Sequence, residues 1–474
     1  MPGFHIEHFG CRAARADGEA IGARLRAAGQ CAQQPSEADV VVVNTCSVTA
    51  EADRQARAFI RRVHRRNSDA KIVVTGCYAQ RAPEELATIA GVSAVIGNSH
   101  KALAPQIILN LTGATMPPSP APEPLVSPER LVSVQSLLAG SAQIWVDDRF
   151  AHSFIEEVQL GPGAEHGAQT RPNLKIQEGC GNRCTFCVIP QTRGPSRSLA
   201  EANVLRRIEA FVAAGGKELV LSGINLGRWG KDLSVAHNEP RATLAALVRG
   251  ILQQTELPRL RLSSIEPMDW DDALIGLMAE FGGRRLARHA HLPLQSGSDT
   301  VLRRMHRRYR PWHYAQKVEA LLRAAGPDLT LGADVMVGFP GETDAEFEET
   351  FEFVRALPFG YLHLFSFSPR PGTPGWALHA QSPVVWAAVE ERMAALRTLA
   401  AEKAAAHRRR FLGRELEAIT LHTSAQLAPR GRTAALAENF LPLAIEGNLP
   451  ANQLVRVRLA GMNREAELEG NVTA

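Results

Sequence analysis

Short apolar runs alternate with amphipathic segments over the first part of the chain. Residues 39–44 form a continuous run dominated by valine, which is typical of a strand buried on both faces. Residues 51–66 instead place their apolar side chains at helical spacing. Strands and helices in alternation predict an open parallel α/β sheet over residues 1–112. The strands are expected at 4–9, 39–44 and 71–75, and the helices at 17–28 and 51–66.

The central part of the chain repeats a strand-like run followed by a helix-like segment. This pattern predicts an open or partial β/α barrel over residues 166–400, with its active site in the loops that follow the strand C-termini. The strands are expected at 174–177, 218–221, 259–263, 289–293, 330–337 and 361–365, and two of the helices at 199–214 and 345–357.

The C-terminal part begins with an alanine-rich helix, expected at 382–410, and continues as short alternating segments. These segments predict a small β-barrel over residues 411–474, a fold that commonly binds oligonucleotides; a purely structural cap is the alternative. Residues 113–165 are rich in proline and glycine and predict a linker region with a short strand at 143–146. The barrel strands are expected at 417–422, 433–437, 441–445 and 454–459.

Length and cysteine content place further limits on the protein class. The chain has 474 residues, enough for about three domains. It has neither an apolar run of about eighteen residues nor a basic-then-apolar start, so neither a membrane span nor secretion is expected. Seven cysteines, an odd number, argue against a disulfide framework. A cytoplasmic protein with metal-binding cysteines is therefore the expectation.

Basic residues are clustered, although the net charge is only +4. Each cluster alone is typical of a solvated helix face, but three in one chain make a nucleic-acid partner an equal alternative. The clusters are Arg61, Arg62, His64, Arg65 and Arg66; Arg303, Arg304, His306, Arg307, Arg308 and Arg310; and His407, Arg408, Arg409 and Arg410.

Three cysteines follow the first strand of the central domain in the spacing C-x3-C-x2-C. Cys180, Cys184 and Cys187 can hold three irons of a cubane cluster and leave the fourth iron open, whereas such clusters normally take four thiolates. An open iron is a position where chemistry can occur. A zinc knuckle or a disulfide loop is the alternative, but zinc sites usually show four ligands in paired spacings.

A second set of three cysteines is spread over the N-terminal domain. Cys11, Cys46 and Cys77 each follow one of its predicted strands. Because the C-termini of parallel strands lie on one edge of a sheet, the three thiols are expected to converge there. This predicts a second cluster with one open iron. Three unrelated core cysteines are the alternative, and Cys31, which lacks such a placement, is interpreted as structural.

The cysteine motifs resemble those of a known enzyme family. The spacing C-x3-C-x2-C, with the aromatic Phe186 before its last cysteine, is similar to the defining motif of the radical S-adenosylmethionine (SAM) superfamily. Both cysteine sets together resemble the methylthiotransferases, a branch of that superfamily, over essentially the whole chain. The segments that carry the resemblance are Phe9-Gly10-Cys11, Asn44-Thr45-Cys46, Gly76-Cys77 and Ile189-Pro190-Gln191-Thr192-Arg193-Gly194. One departure is that residues 12–17 lack the Asn that the family usually carries after the first cysteine.

The resemblance implies two 4Fe-4S clusters and SAM as cofactors. The cluster on Cys180, Cys184 and Cys187 would cleave SAM to a 5′-deoxyadenosyl radical, and the cluster on Cys11, Cys46 and Cys77 would carry the sulfur. A second SAM would methylate that sulfur before its transfer to C2 of an adenine. Acid–base chemistry alone cannot functionalise the C2–H bond of the adenine. Loop position and resemblance together suggest SAM contacts by Ser222, Gly223, Glu266, Gln295 and Asp334, with Phe186 near the adenine or the cluster or simply in the core.

Two further segments, 262–267 and 291–299, look most like the branch that acts on threonylcarbamoyladenosine in tRNA. The resemblance therefore implies methylthiolation of that base at position 37, with the tRNA anticodon stem-loop bound by the basic groups and the barrel, and with a flavodoxin or ferredoxin as electron donor. The alternatives are methylthiolation of isopentenyladenosine in tRNA, or of an aspartate in a small-subunit ribosomal protein. A non-catalytic RNA-binding protein with structural metal sites is the alternative from another class.

Overall fold

The computed structural model describes residues 2–113, 142–150, 170–233, 242–423, 427–463 and 467–473. The proline-rich and glycine-rich stretches of the predicted linker, 116–128 and 161–168, lie outside these residues. The chain divides into two compact units. Unit 1 comprises Met1–Gln159, Glu178–Ser196 and Ser368–Thr373, and unit 2 comprises Leu160–Gln177, Arg197–Phe367 and Pro374–Ala474.

A six-stranded parallel sheet forms the centre of unit 1, as the strand–helix alternation predicted. Its strands are β1 (Gly3–His8), β2 (Cys31–Ala32), β3 (Val40–Thr45), β4 (Lys71–Gly76), β5 (Val92–Gly97) and β6 (Gln143–Trp145), in the order β2-β1-β3-β4-β5-β6. Its helices are α1 (Arg12–Ala27), α2 (Ala50–Arg66), α3 (Cys77–Arg81), α4 (Pro83–Ala87) and α5 (Ala104–Leu111).

The valine run in β3 explains why this strand is central. Val40 and Val42 belong to the apolar cluster on one face of the sheet, and Val41 and Val43 belong to the cluster on the other face. Successive strand residues point to opposite faces, so four adjacent valines are all buried. The short strand expected within the linker is instead β6, which pairs with β5 as the sixth strand of the sheet.

The first part of unit 2 is built on parallel strands with helices between them, which confirms the open β/α barrel. Two sheets are present, in the orders β10-β9-β7-β8 and β11-β12-β13. The strands are β7 (Asn173–Glu178), whose last residue belongs to unit 1, β8 (Arg197–Ser198), β9 (Glu218–Gly223), β10 (Arg259–Leu262), β11 (His289–His291), β12 (Thr330–Val337) and β13 (Phe359–Ser366). The helices, of which α6 lies in unit 1, are α6 (Ile189–Arg193), α7 (Glu201–Ala213), α8 (Leu244–Gln254), α9 (Asp272–Phe281), α10 (Asp299–Arg304), α11 (Pro311–Ala325), α12 (Asp344–Ala356), α13 (Pro374–Gln381) and α14 (Trp386–Arg409).

Unit 2 ends in a closed five-stranded barrel, as the alternating C-terminal segments predicted. Its order is β14-β15-β16-β18-β17, and all its pairings are antiparallel except the one between β16 and β18. The last strand is additional to the four that the sequence pattern predicted. The strands are β14 (Glu415–Thr420), β15 (Arg432–Ala437), β16 (Pro442–Glu446), β17 (Leu454–Met462) and β18 (Leu468–Thr473).

A buried set of charges joins this barrel to the core of unit 2. Glu218 accepts a hydrogen bond from Arg261 Nε (2.8 Å) and another from Arg259 Nη1 (3.2 Å). Arg259 also donates to Glu417 of β14, and Arg261 donates to the Ala437 carbonyl of β15 (3.2 Å). The barrel is therefore attached to the core of unit 2 through charge-assisted bonds. We call Glu218, Arg171, Arg259 and Arg261 the Glu218 network.

Among the described residues, no helix is both long enough and apolar enough to cross a membrane.

Candidate functional site

The three N-terminal cysteines lie at strand ends of the unit 1 sheet. Cys11 is the N-cap of α1, Cys46 directly follows β3, and Cys77 directly follows β4 as the first residue of α3. Burial, together with the nearby Cys77 and Cys11 thiols, raises the pKa of Cys46 to about 12. The sheet thus brings together three thiols that are distant in sequence, and the other two thiols raise the pKa of Cys46.

Close backbone contacts at the ends of β3 and β4 fix the positions of Cys46 and Cys77. Gly76 has φ +100°, and a Cβ at this position would lie 2.3 Å from the Thr45 carbonyl oxygen. The Thr45 hydroxyl donates to the Thr75 carbonyl across the same pair of strands (2.5 Å). Only glycine fits such a conformation at so short an approach, so the two strand ends hold both thiols in a defined place.

Several N–H groups point at the sulfurs of this site. The backbone amide of Val48 donates to Cys46 Sγ (3.4 Å). Cys77 Sγ accepts from the side-chain amide of Asn98 (3.4 Å) and from Arg193 Nε (3.3 Å). N–H donors of this kind stabilise thiolate sulfur and are a recurring feature of iron–sulfur sites. The donor set therefore fits cysteine ligands of an iron–sulfur cluster.

The second cysteine set lies on a loop that begins where β7 ends. Gly179 has φ +72°, and the Cys180 amide donates to the Gly194 carbonyl (3.0 Å), which closes the loop. Within the loop, the Cys187 amide donates to the Cys184 carbonyl (3.1 Å), and the Asn182 amide donates to Cys180 Sγ (3.5 Å). These three cysteines are half-buried, and so is Phe186. Cys31, which was interpreted as structural, is exposed in β2.

Sequence reasoning missed a buried group of charges beside both cysteine sets. Lys101 Nζ lies 2.9 Å from Asp17 and 2.7 Å from Glu178, and Arg193 Nη1 lies 2.6 Å from Glu178 and 3.2 Å from Asp17. We call these four residues the Arg193 network. Burial alone would lower the pKa of Arg193, but Cys77, Glu178 and Asp17 raise it well above its ordinary value. A sequence signal existed, since Glu178 and Arg193 flank the cysteine loop, but nothing in the pattern indicated that they are buried.

The residues predicted to contact SAM all lie in unit 2 except Phe186. Ser222 is buried at the end of β9, and the following Gly223 lies against Gln177. Glu266 follows β10 and pairs with Arg307. These positions agree with the expected strand ends, and their contact with SAM stays a prediction.

Two more of these residues are adjacent in the structure. Gln295 has φ +66°, and its amide donates to the Asp334 carbonyl (2.8 Å). The Asp334 carboxylate lies 3.2 Å from His291 Nε2 and 3.2 Å from His363 Nδ1. Burial alone would raise the pKa of Asp334, but the two histidines hold it well below its usual range. Asp334 is therefore a carboxylate at neutral pH.

The three basic clusters differ in what the structure leaves exposed. The arginines of the first cluster are all exposed on α2. In the second cluster, Arg303 pairs with Asp299 and Arg304 pairs with Glu346. Arg307 is buried, as is His407 of the third cluster. The arginines of the first cluster are therefore all exposed, whereas ion pairs and burial involve part of the second cluster and part of the third.

Two family models match the chain. The model of the uncharacterized protein family UPF0004 matches residues 3–97, which cover most of the unit 1 sheet. The model of the radical SAM superfamily matches residues 174–354, which include the C-x3-C-x2-C loop. Membership of this superfamily implies SAM and a 4Fe-4S cluster as cofactors.

Relatives match over almost the whole chain. A threonylcarbamoyladenosine tRNA methylthiotransferase MtaB of Bacillus subtilis is 32% identical, covering 94% of this chain and 90% of that protein. A protein of Parafrankia sp. named tRNA-2-methylthio-N(6)-dimethylallyladenosine synthase is also 32% identical, covering 88% of this chain and 77% of that protein. The fold is similar to that of TsrM from Kitasatospora setae, a radical S-adenosylmethionine methyltransferase with cobalamin and a 4Fe-4S cluster bound (TM-score 0.54, 16% identity, 80% of this chain and 78% of that chain).

The two cysteine sets, the superfamily match and the full-length relatives agree with one another. The family predicted from the cysteine motifs is thereby confirmed, and the interpretation as a non-catalytic RNA-binding protein is set aside. This chain belongs to the methylthiotransferase family of radical SAM enzymes.

Proposed function

We propose that this enzyme adds a methylthio group to C2 of N6-threonylcarbamoyladenosine at position 37 of tRNA, beside the anticodon. The observation that carries the proposal is the pair of cysteine sets in unit 1. One set lies on a contiguous loop, and the other is assembled from three strand ends. Two sets of three thiolates leave room for two clusters, each with one position that the protein does not fill.

In this proposal, Cys180, Cys184 and Cys187 hold one 4Fe-4S cluster, and Cys11, Cys46 and Cys77 hold the other. When bound, the clusters and SAM supply the one-electron chemistry, the sulfur and the methyl group that the protein side chains cannot supply. The chain contributes N–H donors to the sulfurs. Val48 and Asn98 serve the N-terminal site, and Asn182 serves the loop. These donors favour the thiolate form that binds iron.

The residues of unit 2 that we propose to contact SAM differ in the kind of contact they can make. Asp334, kept ionised by His291 and His363, can accept hydrogen bonds from hydroxyl groups. Ser222 and Gln295 are buried polar side chains at strand ends, and Gly223 allows close approach of a ligand to the backbone. Glu266 is oriented by Arg307. We keep these residues of unit 2 as the proposed SAM contacts, and the contact by Phe186 of the cysteine loop stays a separate prediction.

RNA binding is assigned to the exposed basic face of α2 and to the C-terminal barrel. The α2 face presents Arg61, Arg62, Arg65 and Arg66, and arginine contacts to phosphate supply affinity with little sequence choice. A small closed barrel is a common platform for oligonucleotides. A low-potential flavodoxin or ferredoxin is the proposed electron donor.

The choice of modified base rests on the relatives and on two sequence segments. The proteins of Bacillus subtilis and Thermotoga maritima that carry the threonylcarbamoyladenosine name are each 32% identical to this chain. The Parafrankia protein that carries the dimethylallyladenosine name has the same identity and covers 88% of this chain, the same share as the Thermotoga protein. The segments 262–267 and 291–299 favour the threonylcarbamoyl branch.

The test is mass spectrometry of tRNA nucleosides from a strain that lacks this gene. We expect the methylthio form of threonylcarbamoyladenosine to disappear, and the unmethylthiolated nucleoside to accumulate in its place. Loss of the methylthio form of isopentenyladenosine instead would assign the enzyme to the other tRNA branch. Unchanged tRNA nucleosides would contradict a tRNA substrate and would leave the ribosomal-protein branch.

A further inference from the structure

The Arg193 network is unusual because all four of its charges are buried. Each of its side chains is 6% exposed or less, and the two cations and two carboxylates balance in charge. Removing charges from water costs several kcal/mol per ion, and apolar replacements of such groups are often neutral or stabilising. The burial of these charges is therefore weak evidence for a stabilising role, and the contacts of the network outside its four residues are informative.

The network lies next to both cysteine sets of unit 1. Asp17 belongs to α1, the helix that starts directly after Cys11. Glu178 stands two positions before Cys180, at the end of β7. Arg193 is the last residue of α6 and contacts Cys77, which is 116 positions away in sequence. One buried network thus connects the elements that carry the two candidate cluster sites.

Arg193 makes its contacts with different parts of one rigid group. Its Nη1 atom binds the carboxylates of Glu178 and Asp17, and its Nε atom lies 3.3 Å from Cys77 Sγ. A guanidinium holds its donors in a planar fork, so fixing one edge on the carboxylates also fixes the direction of the Nε–H bond. A lysine ammonium at the same place is a single point charge and cannot reproduce both directions.

We propose that Arg193 is a positioning residue that holds the Cys77 sulfur and raises the reduction potential of the N-terminal cluster. The inference rests on the proposed function, since it assumes that Cys11, Cys46 and Cys77 hold a cluster. Reduction adds negative charge to a cluster, and an N–H donor on a ligand sulfur favours the reduced state. Asp17 and Glu178 hold the guanidinium in place and partly offset its charge.

This arrangement predicts shifts of opposite sign in two variants. Arg193→Lys keeps the positive charge of the network but removes the directed donor to Cys77, so the potential should fall. Glu178→Gln keeps Arg193 but removes a buried negative charge near the site, so the potential should rise. A defect that only loosened the packing would not produce opposite signs.

The experiment is an EPR-monitored redox titration of the full-length chain after anaerobic reconstitution. The parent carries Cys180→Ala, Cys184→Ala and Cys187→Ala together, so that a signal comes from the N-terminal site alone. We expect reduction to become about tenfold less favourable in Arg193→Lys, a fall of about 59 mV for one electron, and the potential to rise in Glu178→Gln. Arg392→Lys is the matched control, because Arg392 is a buried arginine in unit 2 that pairs with Glu342 (2.9 Å). It should leave the potential unchanged.

An unchanged potential in Arg193→Lys, or shifts of the same sign in both variants, would overturn the proposal. If Arg193→Lys fails to retain iron, the reduction potential of Glu178→Gln becomes the only test. A rise then supports the proposal, and no change contradicts it. A parent protein that binds no iron would instead contradict the second cluster of the proposed function, and with it this inference. The iron content of the parent thus distinguishes the two failures.

Discussion

Each unit of the protein contains a buried ion network, and the two networks differ in what their arginines contact. In unit 1, Arg193 donates to the sulfur of Cys77. In unit 2, Arg259 and Arg261 donate to residues of the C-terminal barrel. The residues of both networks are buried except Arg171, whose side chain is 22% exposed. Buried charge by itself therefore does not mark a functional site. What distinguishes the two networks is the group outside the network to which each arginine donates, a cysteine sulfur in unit 1 and the barrel in unit 2.

The difference extends to charge balance. The Arg193 network has two cations and two carboxylates, whereas the Glu218 network places three guanidinium groups around one buried carboxylate. Burial alone would raise the pKa of Glu218, but Arg261, Arg171 and Arg259 lower it to about 2. The surplus positive charge of the Glu218 network is directed to Glu417 and to the Ala437 carbonyl, both in the barrel.

The largest expected effect is in unit 1. Cys180→Ala should reduce SAM cleavage to background, because a thiolate of the proposed loop cluster is lost. Iron per chain should fall from about eight to about four. Reductive SAM cleavage and iron analysis on the same sample check both values. Cys31→Ala is the control, because Cys31 is exposed in β2 and should retain full iron and full cleavage. Normal cleavage in Cys180→Ala would contradict the role of the loop.

In unit 2, the Glu218→Gln variant should lower the free energy of unfolding and leave iron binding unaffected. Glu218→Gln leaves buried arginines without their carboxylate, which should cost about 3–5 kcal/mol of unfolding free energy. Urea unfolding compared with Glu349→Gln, an exposed glutamate on α12, measures this cost. Iron content should stay at the wild-type value in both variants. A loss of iron in Glu218→Gln would remove the distinction between the two networks.

A smaller loss of stability is expected at the strand ends of unit 1. Gly76→Ala forces a Cβ to within 2.3 Å of the Thr45 carbonyl at φ +100°, and should cost about 2–3 kcal/mol. Gly181→Ala, in the other cysteine loop, meets no atom within 4 Å and should have little effect. Urea unfolding and iron binding of the two variants compare a site fixed by the sheet with a local loop. Equal losses would show that the strand ends do not fix the first site.

The smallest expected effect is a pH dependence of the free energy of unfolding that comes from His407 of unit 2. Burial, together with the nearby Arg410 and Arg408, lowers the pKa of His407 to about 4. Below about pH 6.5 the unfolded chain binds a proton at this residue and the native protein does not, so stability falls with pH between about 6.5 and 4. The loss should be about 1 kcal/mol at about pH 5.5. His407→Gln, whose amide can still bond Thr330, should unfold with a weaker pH dependence in this range. An unaltered slope would contradict the prediction.

The sequence was sufficient for features that depend on local pattern. The valines of β3 and the position of Cys77 directly after β4 follow from β-branched runs and strand ends. It was not sufficient for β5 and β18, because β5 starts with half-exposed residues and the segment before β18 shows no clear alternation. The contact between Arg193 and Cys77 could not be predicted, because burial of a charge depends on partners that packing brings from distant parts of the chain. The same reason explains why the burial of Arg307 and of His407 in the basic clusters could not be predicted.

The central claim is that the two cysteine sets have separate tasks, and the Cys77→Ala variant tests it most directly. The reconstituted variant is incubated with SAM, a reductant and tRNA that carries threonylcarbamoyladenosine, and both 5′-deoxyadenosine and the methylthio nucleoside are measured. We predict that 5′-deoxyadenosine still forms and that the methylthio nucleoside does not. Full methylthio product from Cys77→Ala would contradict the account.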